Sequence, residues 1–187
     1  MSKVVTPQQL SEEGKTAYRR GDYLAAARVF EAASQGFKTA GDPLNAAEMA
    51  NNSSVAFLQA GEADAALNAV EGTDQTFSMA GDTKRQGMAL GNRAAALEAL
   101  DRLDEAIEAY QQSAALLEQA GEDQLRANAM QALSALQFRM GRQLQALATM
   151  QSGVEGVRRP SPKQRFIKQL LHIPFDMLHN NNPQSGQ

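Results

Sequence analysis

The chain has 187 residues and a formal net charge of −3, with 43% apolar, 21% charged and 5% aromatic content. That length can bury a real core, in one compact domain or a short repeat array. The absence of Cys excludes a disulfide framework, a cysteine-ligated metal and a Cys nucleophile. The charge is too mild for general nucleic-acid binding, no stretch approaches the roughly 18 apolar residues of a membrane span, and Met1 to Leu10 carries no apolar run of a signal peptide; a cytoplasmic protein is expected.

Composition is uneven along the chain. Residues 1–153 hold 13 basic and 19 acidic side chains, and residues 154–187 hold 5 basic and 2 acidic, so an acidic body precedes a basic tail. All 33 alanines lie at or before Ala148, while four of the six prolines and both histidines lie beyond it. The body repeats: Ala40-Gly41-Asp42, Ala80-Gly81-Asp82 and Ala120-Gly121-Glu122 recur every 40 residues. Half a period away stand Gly21-Asp22, Gly61-Glu62, Asp101-Arg102 and Gly141-Arg142. Such self-similarity predicts a repeat architecture.

In chain order the first unit spans 6–41. Thr6-Pro7 places a capping residue before a Pro at the first helical position, and Gly21-Asp22 separates its two helices. The second unit, 42–81, opens on Asp42-Pro43 and turns at Gly61-Glu62; the third, 82–121, opens on Asp82 and turns at Asp101-Arg102; the fourth, 122–157, turns at Gly141-Arg142. The segments between breaks run about 17–19 residues, rich in Ala, Leu, Gln and Glu, and each is expected to be one continuous helix. Gly41 and Gly81 suit the left-handed residue just past a helix end, and Asp42 and Asp82 suit the cap of the next helix. No run alternates as a strand does.

Residues 158–179 form a different segment. Ser161-Pro162 opens a short amphipathic stretch with Phe166, Ile167, Leu170 and Leu171 on one face and Lys163, Arg165, Lys168 and Gln169 over much of the rest; Pro174 ends it. The polar run 180–187 is expected to be disordered.

The alanine excess has a packing cause. Gly14, Ser54, Ala94 and Ser134 form a small-residue row on the first helices, facing Ala26, Ala66, Ala106 and Ala146 on the second. Larger residues fill the spaces between hairpins: Phe30, Val70, Tyr110 and Met150 in one row, Ala17, Phe57, Leu97 and Gln137 in another.

Gly21-Asp22-Tyr23-Leu24-Ala25-Ala26-Ala27-Arg28-Val29-Phe30 and Leu103-Asp104-Glu105-Ala106-Ile107-Glu108-Ala109-Tyr110 resemble the second half of a tetratricopeptide repeat, in its long 40-residue variant. The resemblance covers about residues 6–157. The family's helix A tryptophan is replaced by Leu10, Ala50, Leu90 and Met130, and its closing proline by the Ala-Gly-Asp turn. The implied fold is an all-α, right-handed superhelical solenoid of about four helical hairpins plus a C-terminal capping helix. The implied function is a non-catalytic scaffold that holds a protein or extended peptide in a concave groove lined by the first helices.

Carried over position by position, the resemblance assigns Lys15, Tyr18 and Arg19 to the groove in the first repeat. It assigns Glu48, Asn51, Asn52, Val55 and Leu58 in the second, Met88, Asn92 and Glu98 in the third, and Asn128, Gln131, Phe138 and Arg139 in the fourth. Asn52 and Asn92 lie one period apart, and a carboxamide offers both donor and acceptor. They either pair with the backbone of an extended ligand or bond neighbouring helices. Lys15 and Arg19 share a face with Tyr18 and either hold a carboxylate, as the family's carboxylate clamp does, or form a solvated basic turn. The full clamp pattern is not met, because Asn51, Asn52 and Val55 stand where further Lys or Arg belongs.

Other motifs dissolve on inspection. Gly14-Lys15-Thr16 lacks the upstream glycine of a phosphate-binding loop, since Gln9 stands there. The sequons in Asn51-Asn52-Ser53-Ser54 fall inside a helix, and Gly87 to Gly91 has membrane-dimer spacing without an apolar 20-mer. His172 and His179, seven apart, lack the spacing of a metal pair, and with His confined to the tail no Ser/His/Asp system can form in the body. No enzyme activity, metal or cofactor is expected. The tail allows three roles: a cap on the last repeat, an acidic-membrane contact, or a contact with another copy's exposed end or groove that gives a homodimer or self-inhibition.

Overall fold

The computed structural model describes residues 5–155, 157 and 160–171, except for the side chains of 163 and 168–171. The expected roles of Leu170 and Leu171, and of 172–187, lie outside the described residues. Among the described residues there are ten helices and no strand: α1 (Pro7–Arg19), α2 (Tyr23–Thr39), α3 (Pro43–Gln59), α4 (Ala63–Val70), α5 (Thr73–Met79), α6 (Thr83–Ala99), α7 (Leu103–Gln119), α8 (Asp123–Arg139), α9 (Gln143–Glu155) and α10 (Pro162–Leu171). Apart from α4 and α5, which pack on α3 and α6, neighbouring helices in the chain pack on one another, and α3, α6 and α8 also touch side by side, so the hairpins stack into a helical-repeat solenoid.

Local chemistry sets the helix ends. Thr6 Oγ1 accepts from the Gln9 backbone N–H while the Gln9 side chain returns a bond to the Thr6 N–H. Asp42 and Asp82 accept from the backbone N–H groups of Asn45 and Arg85. Seven turns close alike: the N–H of Asp22, Asp42, Glu62, Asp82, Arg102, Glu122 and Arg142 donates to the carbonyl five residues before it. The residue inside each such bond is left-handed. It is glycine at 21, 41, 61, 81, 121 and 141, and Asp101, at φ 60°, in the remaining turn.

Tertiary packing follows the small-residue rows. Ala26, Ala66, Ala94, Ala106 and Ser54 are wholly buried, and Ser134 and Ala146 nearly so. A methyl group added at Gly14 would stand 2.8 Å from the Phe30 ring, so α1 and α2 meet too closely there for a side chain. Phe30, Val70, Tyr110, Phe57, Leu97 and Gln137 are buried between hairpins.

One expected helix is divided. The segment after Gly61 breaks between α4 and α5, where Glu71 is extended (ψ 130°) and Gly72 left-handed (φ 76°). Gly72 takes that conformation without a Cβ clash. Thr73 Oγ1 donates to the freed Val70 carbonyl at 2.7 Å, replacing the lost helical bond. Ala32 and Gln112 hold the equivalent places in α2 and α7, which run unbroken.

Candidate peptide-binding groove

The first helices of consecutive hairpins face one another through side chains about one period apart. Asn92 Nδ2 donates to Asn51 Oδ1 at 3.0 Å, Arg85 Nη1 to Glu48 Oε2 at 3.3 Å, and Arg139 Nη1 to Glu98 Oε1 at 2.7 Å. These bonds put Glu48, Asn51, Asn92, Glu98 and Arg139 along one face of α3, α6 and α8.

At the first end of that face lies a cavity of about 510 Å³, lined by Lys15, Tyr18 and Arg19 of α1, Phe30 of α2, and Glu48, Asn52 and Val55 of α3. The helical spacing of 15, 18 and 19 brings those three side chains to one side of α1. Phe30, Tyr18 and Val55 supply an apolar wall. Lys15 and Arg19 are exposed at the rim. Neither cation is idle: Lys15 Nζ pairs with Glu12 at 2.7 Å, and Arg19 Nη2 donates to Thr16 Oγ1 at 3.3 Å. The Lys15 hydrogen bond, aided by its charge, holds the Glu12 carboxyl below its usual range. Tyr18 is steadied by an edge contact with Tyr23, ring centres 5.2 Å apart.

Asn52 and Asn92 part company here. Asn51 is only 8% exposed; its Nδ2 donates to the Ala47 carbonyl at 3.0 Å, and its Oδ1 receives Asn92. Asn92 therefore bonds a neighbouring helix. Asn52 lines the cavity and makes no side-chain hydrogen bond among the described residues.

Further along, Leu58 is half-buried and Met88 exposed. On α8, Asn128 accepts from Gln124, Gln131 is exposed, and Phe138 stands exposed beside Arg139. Glu98 is a hub: it takes Arg139 on one oxygen and the Tyr110 hydroxyl, at 3.0 Å, on the other. Burial, then the Glu98 charge and hydrogen bond, push the Tyr110 phenol well above its ordinary value, with Arg139 opposing.

Phe30 and Tyr110 were expected only as filler between hairpins, yet one walls the cavity and the other anchors Glu98. A signal for such cross-repeat partners exists in the sequence: Asn51 with Asn92 and Glu98 with Arg139 are both 41 positions apart, one period plus one. On α10, which packs on α9, Phe166 is exposed and Ile167 half-buried. Among the described residues no helix is long and apolar enough to cross a membrane, and no group of three His, Cys, Asp or Glu is placed to hold a metal.

Residues 85–159, from α6 to just past α9, match the family model described as tetratricopeptide repeat. No curated protein matches the chain.

Proposed function

From the membership of residues 85–159 in the tetratricopeptide-repeat family, whose repeats mediate protein–protein interaction, we propose that this chain is a non-catalytic scaffold whose first helices hold an extended peptide of a protein partner. The observation that carries this reading is the basic-rimmed, apolar-walled cavity of about 510 Å³ between α1 and α3. An apolar side chain of the peptide enters between Tyr18, Phe30 and Val55. An acidic group beside it meets Lys15 and Arg19, and the Asn52 carboxamide offers both a donor and an acceptor to peptide backbone. The Lys15–Glu12 pair is exposed on both sides, so exchanging Glu12 for a ligand carboxylate costs little. Exposed Met88 and Phe138 extend the apolar track toward α8.

A few net hydrogen bonds of about 0.5–1.5 kcal/mol each and one apolar anchor correspond to roughly micromolar affinity. Selection from a displayed random-peptide library tests the reading. Enriched peptides are expected to carry an acidic residue beside an apolar one, and Arg19→Glu should abolish their capture while the helical circular dichroism is unchanged. Absence of enrichment, or capture indifferent to Arg19→Glu, would overturn it.

A further inference from the structure

The acidic side chains of the groove face differ in how far their oxygens are spent. Glu98 receives Arg139 on Oε1 at 2.7 Å and the Tyr110 hydroxyl on Oε2 at 3.0 Å. Glu12 holds Lys15 at 2.7 Å. Glu48 is engaged on Oε2 alone, by Arg85 at 3.3 Å, and its Oε1 accepts no hydrogen bond among the described residues. The Glu48 side chain is 44% exposed and lines the cavity between α1 and α3.

Arg85 does not depend on Glu48. Its Nε lies 2.8 Å from Asp82 Oδ2, and its guanidinium stands over the Phe77 ring, 5.5 Å from the ring centre. These contacts hold it to the start of α6. Glu48 can therefore turn one carboxylate oxygen to a ligand while the bond between repeats stays made. Nor does the repeat require an acid at this place, since Gln8, Met88 and Asn128 hold it in the other first helices.

The cavity thus carries opposite charges on its two sides. Lys15 and Arg19 rim it on α1, Glu48 lines it on α3, and Tyr18, Phe30 and Val55 supply apolar surface. The charges are also staggered along the helices. Lys15 corresponds to Val55 one period on, and Glu48 precedes Val55 by seven residues. At about 1.5 Å per residue that offset is roughly 10 Å, and the separation of α1 from α3 adds to it. An extended peptide, advancing about 3.3 Å per residue, covers such a distance in roughly three or four residues.

Resting on the peptide-binding reading of this groove, we propose that Glu48 selects a basic residue of the peptide, three or four positions from the acidic residue held by Lys15 and Arg19, with the apolar anchor between the two. A Lys or Arg of the ligand donates to Glu48 Oε1. A peptide of uniform charge sets a like charge against one side of the cavity or the other and is discriminated against.

Selection from a displayed random-peptide library on the wild-type chain and on Glu48→Lys tests the assignment, with helical circular dichroism as the check on folding. On the wild type, a Lys or Arg is expected three or four positions from the acidic residue. On Glu48→Lys that position is expected to turn acidic. In a synthetic peptide of the wild-type consensus, replacing the basic residue with Gln is expected to weaken binding about threefold, the scale of an exposed ion pair. That loss is expected to vanish in Glu48→Gln. Enriched peptides with an acidic and an apolar residue but no basic one would overturn the assignment and leave the groove reading standing. A loss on replacing the base that is absent in the wild type, or that persists in Glu48→Gln, would do the same. No enrichment on the wild-type chain would remove both.

Discussion

Asn92 of α6 donates to Asn51 of α3 across 3.0 Å, and Asn51 in turn donates to the Ala47 carbonyl, so one nearly buried carboxamide ties two repeats together. Removing Asn92 strands the Asn51 oxygen in a site that water barely reaches, at a cost of about 1–2 kcal/mol. Asn92→Ala is therefore expected to lower the urea midpoint measurably. Asn52→Ala, one residue from Asn51 but facing the cavity, should leave the unfolding free energy within about 0.5 kcal/mol and weaken capture of library-selected peptides.

Asp101 is the single non-glycine residue with positive φ among the described residues. It stands where six other turns use glycine, and its Cβ crowds the backbone there. Asp101→Gly should raise stability by roughly 0.5 kcal/mol, the strain relieved exceeding the added freedom of the unfolded chain. Gly61→Ala, the reverse change at an equivalent turn, should lower stability by about 1 kcal/mol. Equal and small shifts in both would show that the turn carries no strain.

Two serines of the small-residue row provide opposite expectations. Ser134 Oγ donates to the Ala146 carbonyl at 2.7 Å, whereas Ser54 Oγ is fully buried with no hydrogen-bond partner among the described residues. Ser134→Ala should cost about 1 kcal/mol, and Ser54→Ala should stabilise by a similar amount because an unsatisfied hydroxyl leaves the core. Chemical denaturation of the two single variants decides the point through the sign of each change.

The Tyr110 phenol is raised in the folded state by burial and by Glu98. A raised value means that the folded protein holds this proton when the unfolded chain has released it. The stabilisation is then complete below the unfolded value, about 10, and is lost as pH climbs above it. Stability should fall there by up to about 1.4 kcal/mol per pH unit from this group, and Tyr110→Phe should flatten that decline. Unfolding midpoints measured from about pH 8 to 11 in the two proteins test this, and parallel curves would remove Tyr110 as the cause.

How far residues spoke for themselves depended on how local their physics is. The glycine turns and the caps at Thr6, Asp42, Asp82 and Ser161 rest on dihedral freedom and on donors within three residues, so they were legible in the amino-acid order. The small-residue rows were legible because close helix contact must recur with the repeat. The break at Glu71-Gly72 was not, because the periodic pattern around it favours a continuous helix and one glycine is ordinarily tolerated inside one.

The groove divides along the same line. The family resemblance assigned Lys15, Tyr18, Arg19, Asn52 and Val55 to the first helices' open side, and these five line one cavity. That Asn51 turns inward while Asn52 turns to the cavity, and that Glu98 gathers Tyr110 and Arg139, depended on neighbours 12 and 41 residues away. By itself the sequence determined the repeat, its turns and its small-residue contacts, because each is enforced within a hairpin. Only the tertiary structure decided which polar side chains are spent on joining repeats and which remain open to a ligand, because that choice rests on the distance between helices of different repeats.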